Sequence, residues 1–421
     1  MILVRVFVVA FLFLYLNITI SAYGEDFLSQ IHPYISVRED YSDNLNLTAE
    51  NKKDDFITTT TPGLKFSNMD AKSGVDLDAS AGIVLYNQHS NLNYISANAN
   101  LNAKYLTSSH VNFYIKNWYV RSDDPREREF LTTTADNKFV LATETQRAVY
   151  WRNVVEPTVE YQFGQEDRIG VKYRNNIYRP DSSAVQNSIE NYINPFVSYW
   201  FNRQNGIYLD YAYTNGYFEN APDLNGHKVS AAYMIRFNPK ATASLNGAYT
   251  NQTFAETTMD YEVYDASLGI SYIFSPTFSA SAQAGYYWMN SKIGLDNNQG
   301  ITFKADLTNL DAQTTYRLSI QGGYTQDYFT SLNLGFRKYY RATGTINHFL
   351  ERRFSIGALG SVEKAESGLD TTIWQVGANA AYQPLKWLKF SLEYIYNQQQ
   401  ANIPANEYKE NRAMLMVTAT Y

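Results

Sequence analysis

The feature that most restricts the fold of this chain is a long alternation of apolar and polar residues. From Ile95 to Tyr105, an eleven-residue segment, every second residue is apolar and those between are Ser, Asn or Lys. Successive side chains of a β-strand point to opposite faces, so the segment predicts a strand with one apolar and one polar face. Soluble strands are usually about 5–6 residues long, whereas a tilted strand that crosses a membrane needs roughly 9–11.

The carboxy-terminal residues repeat this pattern and end on an aromatic side chain. One face of the predicted last strand is apolar and comprises Ala413, Leu415, Val417, Ala419 and Tyr421. A half-buried edge strand of a soluble sheet is one interpretation. The closing strand of an outer-membrane barrel is the other, and the rest of the chain favours it.

Composition agrees with a barrel and excludes several other classes. Charged residues make up 18% of the chain and there are 36 tyrosines, whose apolar ring and polar hydroxyl suit a membrane–water boundary. The mean hydropathy of -0.38 excludes a bundle of membrane helices. A net charge of -6 without a Lys/Arg cluster argues against a nucleic-acid partner.

Similar alternating segments follow one another from residue 34 to the end, joined by tight links that alternate with longer polar ones. The predicted fold is all-β, a transmembrane antiparallel up-and-down barrel of about 18–20 strands, with both termini in the periplasm. The alternation slips around Lys338–Tyr340. No fixed-period repeat supports a soluble propeller or β-helix. Because the pattern starts so near the amino terminus, we expect no plug domain.

The amino terminus has the parts of a secretory signal peptide. Arg5 precedes the apolar stretch Val6–Ile20, and Ala22-Tyr23-Gly24 offers small residues for cleavage. A single membrane anchor is the alternative. We therefore expect residues 1–24 to be the signal peptide and residues 25–421 an outer-membrane barrel, whose partners are outer-membrane lipid and the barrel-assembly machinery.

No catalytic, metal or cofactor constellation appears in the sequence. The five histidines lie at predicted strand ends or in loops, outside any recognisable nucleophile–base arrangement. The acidic pairs Asp54-Asp55 and Asp123-Asp124 lack calcium-loop spacing. The chain is therefore predicted not to be an enzyme and to need no cofactor.

The polar face of the predicted strands is expected to line the lumen. Its charges have both signs, which argues against a strongly ion-selective pore, and its amides, hydroxyls and rings suit polyhydroxylated solutes. The candidate pore-lining residues are Asp76, Asp78, Lys104, Tyr114, Lys116, Glu156, Glu160, Lys172, Arg174, Arg236, Tyr287, Lys304, Asp306, Arg317 and Glu393. The link 123–147 either enters this pore or stays outside it.

Two amino-terminal segments carry a family resemblance. A strand that ends in Tyr41-Ser42-Asp43-Asn44 is followed by a strand that contains Pro62-Gly63. This pairing resembles the β-barrel porin 2 family, which includes outer-membrane proteins of PEP-CTERM/exosortase and exopolysaccharide systems. The residues themselves predict a strand-end turn at Asp43-Asn44 and a bend or bulge at Pro62-Gly63.

The resemblance implies a role in exopolysaccharide export across the outer membrane, with a polysaccharide and periplasmic polysaccharide-export components as further partners. Two other functions stay open. One is a general diffusion porin for small hydrophilic solutes, and the other is a non-conducting barrel that anchors a surface assembly.

Overall fold

The computed structural model describes residues 30–107, 110–124, 147–181, 187–255, 259–292, 298–329, 335–366 and 369–421. These residues form twenty strands and two short 3-10 turns, Ser90–Leu92 and Pro404–Asn406. The strands are β1 Ile31–Ser42, β2 Asp55–Met69, β3 Ser73–Tyr86, β4 Tyr94–Leu106, β5 Val111–Ser122, β6 Tyr150–Gln162, β7 Arg168–Pro180, β8 Ser188–Trp200, β9 Asn205–Phe218, β10 Leu224–Asn238, β11 Ala241–Phe254, β12 Tyr261–Ile273, β13 Phe278–Ser291, β14 Asn298–Leu310, β15 Thr314–Asp327, β16 Gly335–Glu351, β17 Phe354–Glu366, β18 Thr371–Leu385, β19 Leu388–Ala401 and β20 Tyr408–Thr420. No helix in the described part of the chain is long and apolar enough to cross a membrane.

Each strand pairs antiparallel with the next, and the last strand returns to the first. The closing ladder between β1 and β20 runs from Tyr34↔Thr420 to Ser42↔Arg412. A closed ring of strands pairs both edges of every strand, which removes the exposed edges of an open sheet. The predicted all-β antiparallel barrel is therefore confirmed, at the upper end of the expected strand count.

The two faces of the barrel wall differ as the alternation predicts. Large apolar side chains such as Leu268 and Ile301 are 66% and 62% exposed and share one face. The predicted carboxy-terminal set lies on this outward face, where Leu415 is 49% exposed. Tyr421 follows β20, and its N–H donates to the carbonyl of Pro33 at 2.8 Å.

The opposite face points into the lumen. Arg152 on β6 donates to the carbonyl of Phe329, which follows β15, at 2.9 Å. These strands are nine positions apart in a ring of twenty, so the two residues meet only across the inside of the barrel. Residues that share a face with Arg152 are called inward below.

The connections alternate in length as predicted. Tight turns such as Asp70–Lys72 and Asn202–Gln204 lie at the end that also holds Gln30 and Tyr421. Longer links, among them residues 43–54, lie at the other end. The placement of the tight-turn end in the periplasm stays a prediction.

The motif Asp43-Asn44 closes the ring at its long-link end. The Asp43 carboxylate accepts from the backbone and side-chain N–H groups of Asn411, both at 2.7 Å. The Asn44 amide donates to the carbonyls of Thr48 at 2.8 Å and Lys409 at 3.0 Å. The predicted strand-end turn therefore also fastens the first strand to the last.

Of the bend or bulge predicted at Pro62-Gly63, the bulge is wrong, and the bend stays a prediction. The β2–β3 register is the same before and after this pair, with Thr60↔Ile83 and Gly63↔Ser80. Proline lacks an N–H, so it removes ladder bonds without adding a residue. Gly63 is needed for another reason, because a Cβ there would lie 2.3 Å from Cζ of the Tyr34 ring.

We predict that a charge on the outward face destabilises the barrel. Leu101→Arg or Leu415→Arg near the middle of the wall should lower the free energy of unfolding by about 2–4 kcal/mol. The inward control Asn100→Arg should change it little, because this side chain faces the polar lumen. Urea unfolding in lipid vesicles measures the difference, and equal stability of all three variants would contradict the assignment of faces.

Candidate functional site

All fifteen predicted pore-lining residues lie on the inward face. The assignment follows from the strand register, since directly paired residues of antiparallel strands share a face. Asp76, Asp78, Lys104, Tyr114, Lys116, Glu156, Glu160, Lys172, Arg174, Arg236, Tyr287, Lys304, Asp306, Arg317 and Glu393 are placed there by the ladders of their strands. That they line a conducting pore stays a prediction.

Many of these inward charges form ion pairs along the wall. Arg174 lies 3.6 Å from Glu156 and also pairs with Glu190. Lys304 and Asp306 are 3.4 Å apart. Such pairs cancel much of the local field, so the inward face offers polar groups of both signs without a single-sign ladder.

A further ion pair, between Arg236 and Glu166, lies at the tight-turn end of the lumen. The Arg236 guanidinium donates to both carboxylate oxygens of Glu166, at 3.0 and 2.8 Å. Hydrogen bonding to Arg236 holds the pKa of Glu166 below its usual range. This fixes the loop 163–167, which precedes β7, against the wall at β10.

At the long-link end of the barrel, β15 and β16 leave the wall together as a hairpin. The β14–β15 ladder stops at Phe303↔Gly322, and the β16–β17 ladder begins at Lys338↔Glu366. Between these points, the described residues of β15 and β16 pair only with each other, as far as Asp327↔Gly335. We call residues 323–329 and 335–337, the described part of this segment, the inward hairpin.

A glycine turns this hairpin inward. Gly323 has a φ of +143°, and Gly335 has a φ of +68°. These are the two described glycines with positive φ, a conformation that residues with a Cβ rarely adopt. The turn at Gly323 brings Tyr324 into the lumen, although in the sequence Tyr324 continues the apolar alternation of Leu318 and Ile320.

The hairpin is bound successively to strands farther and farther from its own. The Tyr324 hydroxyl donates to Asp265 on β12 at 2.7 Å. Gln326 accepts from Gln252 on β11 at 3.0 Å. The Arg152–Phe329 bond described above then reaches β6, so the hairpin crosses the lumen.

Aromatic packing fills the space between the hairpin and the wall. The hydroxyls of Tyr328 and Tyr261 are 2.5 Å apart and share a hydrogen bond. The Phe336 ring stacks on Tyr324 with centroids 5.4 Å apart, and Tyr287 is fully buried beside them. Burial raises the pKa of Tyr328, so its hydroxyl keeps its proton. Tyr287, predicted to line the pore, is thus covered by the hairpin.

Ion pairs hold the base of the hairpin. Arg337 is 5% exposed and lies 3.2 Å from Asp327 and 3.8 Å from Glu363 on β17. Arg341 pairs with Glu363 as well. A buried charge that loses its partner is costly, so these contacts favour the inward position.

Two other predicted elements lie largely outside the described residues. The signal peptide, residues 1–24, is one, and residues 125–146 of the link 123–147 are the other. The ends of this link meet, with Arg147 lying 3.1 Å from Asp123 and donating to the carbonyl of Leu45 at 2.7 Å. Whether the link enters the pore therefore stays open.

Comparison with solved structures supports the barrel fold. The ferric citrate transporter FecA in its unliganded form matches 93% of this chain and 79% of its own, with a TM-score of 0.52 and 12% identity. A mutant of the ferric enterobactin receptor PfeA from Pseudomonas aeruginosa matches 93% of this chain and 80% of its own, with a TM-score of 0.52 and 7% identity. OccK2 from the same organism matches 94% of this chain and 99% of its own, with a TM-score of 0.44 and 9% identity.

These neighbours are outer-membrane β-barrel proteins, and at such low identity the likeness shows the fold alone. No family model matches the chain. No curated protein sequence matches it either. Within the described residues, no group of three or more His, Asp or Glu side chains is placed to hold a metal ion. The candidate site is therefore described by the geometry of this chain, a 20-stranded β-barrel with a hairpin across the lumen.

We predict that Gly323→Val releases the inward hairpin. A β-branched residue disfavours the φ of +143°, and its Cβ would lie 2.9 Å from Cγ2 of Thr302. In the variant, β15 should therefore continue along the barrel wall instead of turning into the lumen. Trypsin added to intact cells should then cleave after Arg337, which is protected in the wild-type protein. Gly360→Val is the matched control because no atom lies within 4 Å of a Cβ there. Equal resistance of both variants would refute the role of Gly323.

Proposed function

We propose that the chain is a non-enzymatic outer-membrane barrel that passes a polyhydroxylated solute through a lumen guarded by the inward hairpin. In the form that the family resemblance implies, the solute is an exopolysaccharide that leaves the cell. The observation that carries the proposal is the hairpin itself, bound at Asp265, Gln252 and Arg152.

A bound hairpin favours a substrate-gated conduit over a general diffusion porin. A general porin needs a permanently water-filled channel. Here aromatic and hydrogen-bonded contacts cross the lumen, and they must part before a large solute passes. Because each contact joins the hairpin to the wall through side chains, the barrel ladders can stay intact while the hairpin moves.

The inward wall near the tight-turn end carries side chains that suit the binding of sugars. A cavity of about 520 Å³ near the tight-turn end is lined by rings and polar groups together, namely Asn112, Tyr114, Glu160, Gln162, Gln165, Glu166, Arg168, Ser198, Trp200, Tyr208 and Met234. Rings pack against the apolar faces of sugars, and amides and carboxylates exchange hydrogen bonds with hydroxyls. The mixture of charges suits a neutral polymer better than a small ion.

The proposal also includes the setting of the barrel. We place it in the outer membrane with both termini in the periplasm, without a separate plug domain, after removal of residues 1–24. Its partners in this setting are outer-membrane lipid, the barrel-assembly machinery, a polysaccharide and periplasmic polysaccharide-export components. The outward apolar belt supports the membrane location, since such a surface would be unfavourable in water.

We predict that a clean gene deletion lowers polysaccharide at the cell surface and raises it in the periplasm. Complementation with the wild-type chain should restore both amounts. Unchanged polysaccharide with slower uptake of small hydrophilic solutes would overturn the export role in favour of a general porin. A defect in a surface assembly without any transport change would instead indicate an anchor.

A second complemented strain tests the guard in the same assay. Replacing residues 324–337 with two glycines should restore export and increase the uptake of large hydrophilic dyes several-fold, because the lumen then stays open. Deleting residues 220–222, in the link between β9 and β10, is the matched loop control and should leave dye uptake unchanged. Equal dye uptake in both strains would show that the hairpin does not guard the lumen.

A further inference from the structure

The inward face of β8 carries an aromatic residue at three positions, each four residues from the next. Tyr192 pairs directly with the inward Arg174, and the period of two places Phe196 and Trp200 on the same face. A strand advances about 3.4 Å per residue, so the three residues span about 27 Å along β8. In a tilted strand this covers most of an apolar belt about 25 Å tall.

Each of these three rings has a guanidinium over its face. Such a cation–π contact limits the movement of the charged group and holds it beside the wall. The distances from the guanidinium carbon to the ring centroid are 4.6 Å for Arg174 over Tyr192, 6.0 Å for Arg168 over Phe196 and 4.1 Å for Arg236 over Trp200.

Each of the three guanidiniums also has a carboxylate beside it. A guanidinium only donates hydrogen bonds and a carboxylate only accepts them, so together they can bind hydroxyl groups in both ways. We call each combination of ring, guanidinium and carboxylate a subsite. The ion pairs of the three subsites are Arg174 with Glu156 and Glu190, Arg168 with Glu160 at 3.9 Å, and Arg236 with Glu166.

The two subsites nearer the tight-turn end are open to the lumen. The side chains of Arg168 and Arg236 are 51% and 30% exposed, and the cavity of about 520 Å³ lies beside them. Within the described part of the chain, no hydrogen bond is found for the hydroxyls of Tyr114, Ser198 and Tyr208, which line this cavity. A solute in the cavity can therefore bond to these hydroxyls as well as to the two ion pairs.

The third subsite, at Tyr192, lies next to the inward hairpin. Ser188, four residues before Tyr192 on the same face, pairs with Phe218 on β9. The Phe218 ring stacks on Phe329 of the hairpin, with centroids 5.3 Å apart. The row of subsites thus leads from the tight-turn end of the lumen to the place where the hairpin crosses it.

Short inward side chains leave space in the lumen beside this row. In the tight-turn half of β11, β12 and β13, inward positions are occupied by Ser244, Ser267 and Ser281. A chain that lies against β8 therefore has room on its other side.

We propose that the inward face of β8 is the binding path of an uncharged polysaccharide, which lies along the three subsites while the hairpin closes their far end. Sugar hydroxyls both donate and accept, as the paired guanidiniums and carboxylates require. An acidic polysaccharide would bring carboxylates to guanidiniums that already have one, so it gains no surplus positive charge. The inference rests on the proposed function, because it names the class of solute and its path through the same lumen.

Binding of hexasaccharides to the purified protein in detergent micelles tests this path. The uncharged probes are cellohexaose, maltohexaose and mannohexaose, and the acidic probe is hexagalacturonate. By isothermal titration calorimetry, at least one uncharged probe should bind about tenfold or more tightly than its monosaccharide, because a chain can reach more than one subsite. Absence of binding by all three, or tighter binding of hexagalacturonate, would overturn the proposal.

A double variant removes the ion pair of the middle subsite without changing the net charge. Arg168→Met with Glu160→Leu should weaken hexasaccharide binding by about tenfold. Lys364→Met with Glu366→Leu is the matched control, because this ion pair, with its atoms 2.8 Å apart, lies on the outward side of β17. Heat-modifiable migration on gels verifies that each barrel has assembled. Equal affinities of the two variants would mean that the β8 subsites do not bind the sugar.

The export assay described above separates this inference from the proposed function. If the gene deletion leaves surface polysaccharide unchanged while the Arg168–Glu160 variant weakens hexasaccharide binding, the binding path stands and the export role fails. If the deletion lowers surface polysaccharide but no hexasaccharide binds, the export role stands and the binding path fails.

Discussion

Closure of the backbone ladder is the constraint on which this structure depends. A wall that faces lipid has no water to satisfy N–H and C=O groups, so every strand must be paired on both sides. The first and last strands meet through the ladder from Tyr34↔Thr420 to Ser42↔Arg412, and Asp43 and Asn44 fasten that seam. Once the ring is closed, the period-2 alternation assigns each side chain to the lumen or to the outside.

The inward hairpin departs from the pairing of each strand with both neighbours. This departure is the observation that supports the proposed guard of the lumen. In the described residues 323–329 and 335–337, β15 and β16 extend beyond their ladders with β14 and β17 and are bound instead by side chains inside the lumen. The exchange replaces permanent backbone pairing with contacts such as Tyr324–Asp265, which can break and re-form.

Most of the architecture was predictable because it depends on local alternation. The strands, their two faces and the inward placement of residues such as Lys304 follow from a period of two. The hairpin was not predictable, because Arg152 and Phe329 are 177 residues apart and meet only when the ring closes. The slip near Lys338 and the pair Gly322-Gly323 were its local signals.

The distance between the hairpin and the opposite wall tests this account most directly. The rings of Phe218 on β9 and Phe329 have centroids 5.3 Å apart, although their strands are six positions apart in the ring. Nitroxide labels on Phe218→Cys and Phe329→Cys in lipid vesicles should therefore show strong dipolar broadening. Spectra equal to the sum of the two single-label spectra would mean that the hairpin stands outside the barrel, and the proposed guard would be wrong.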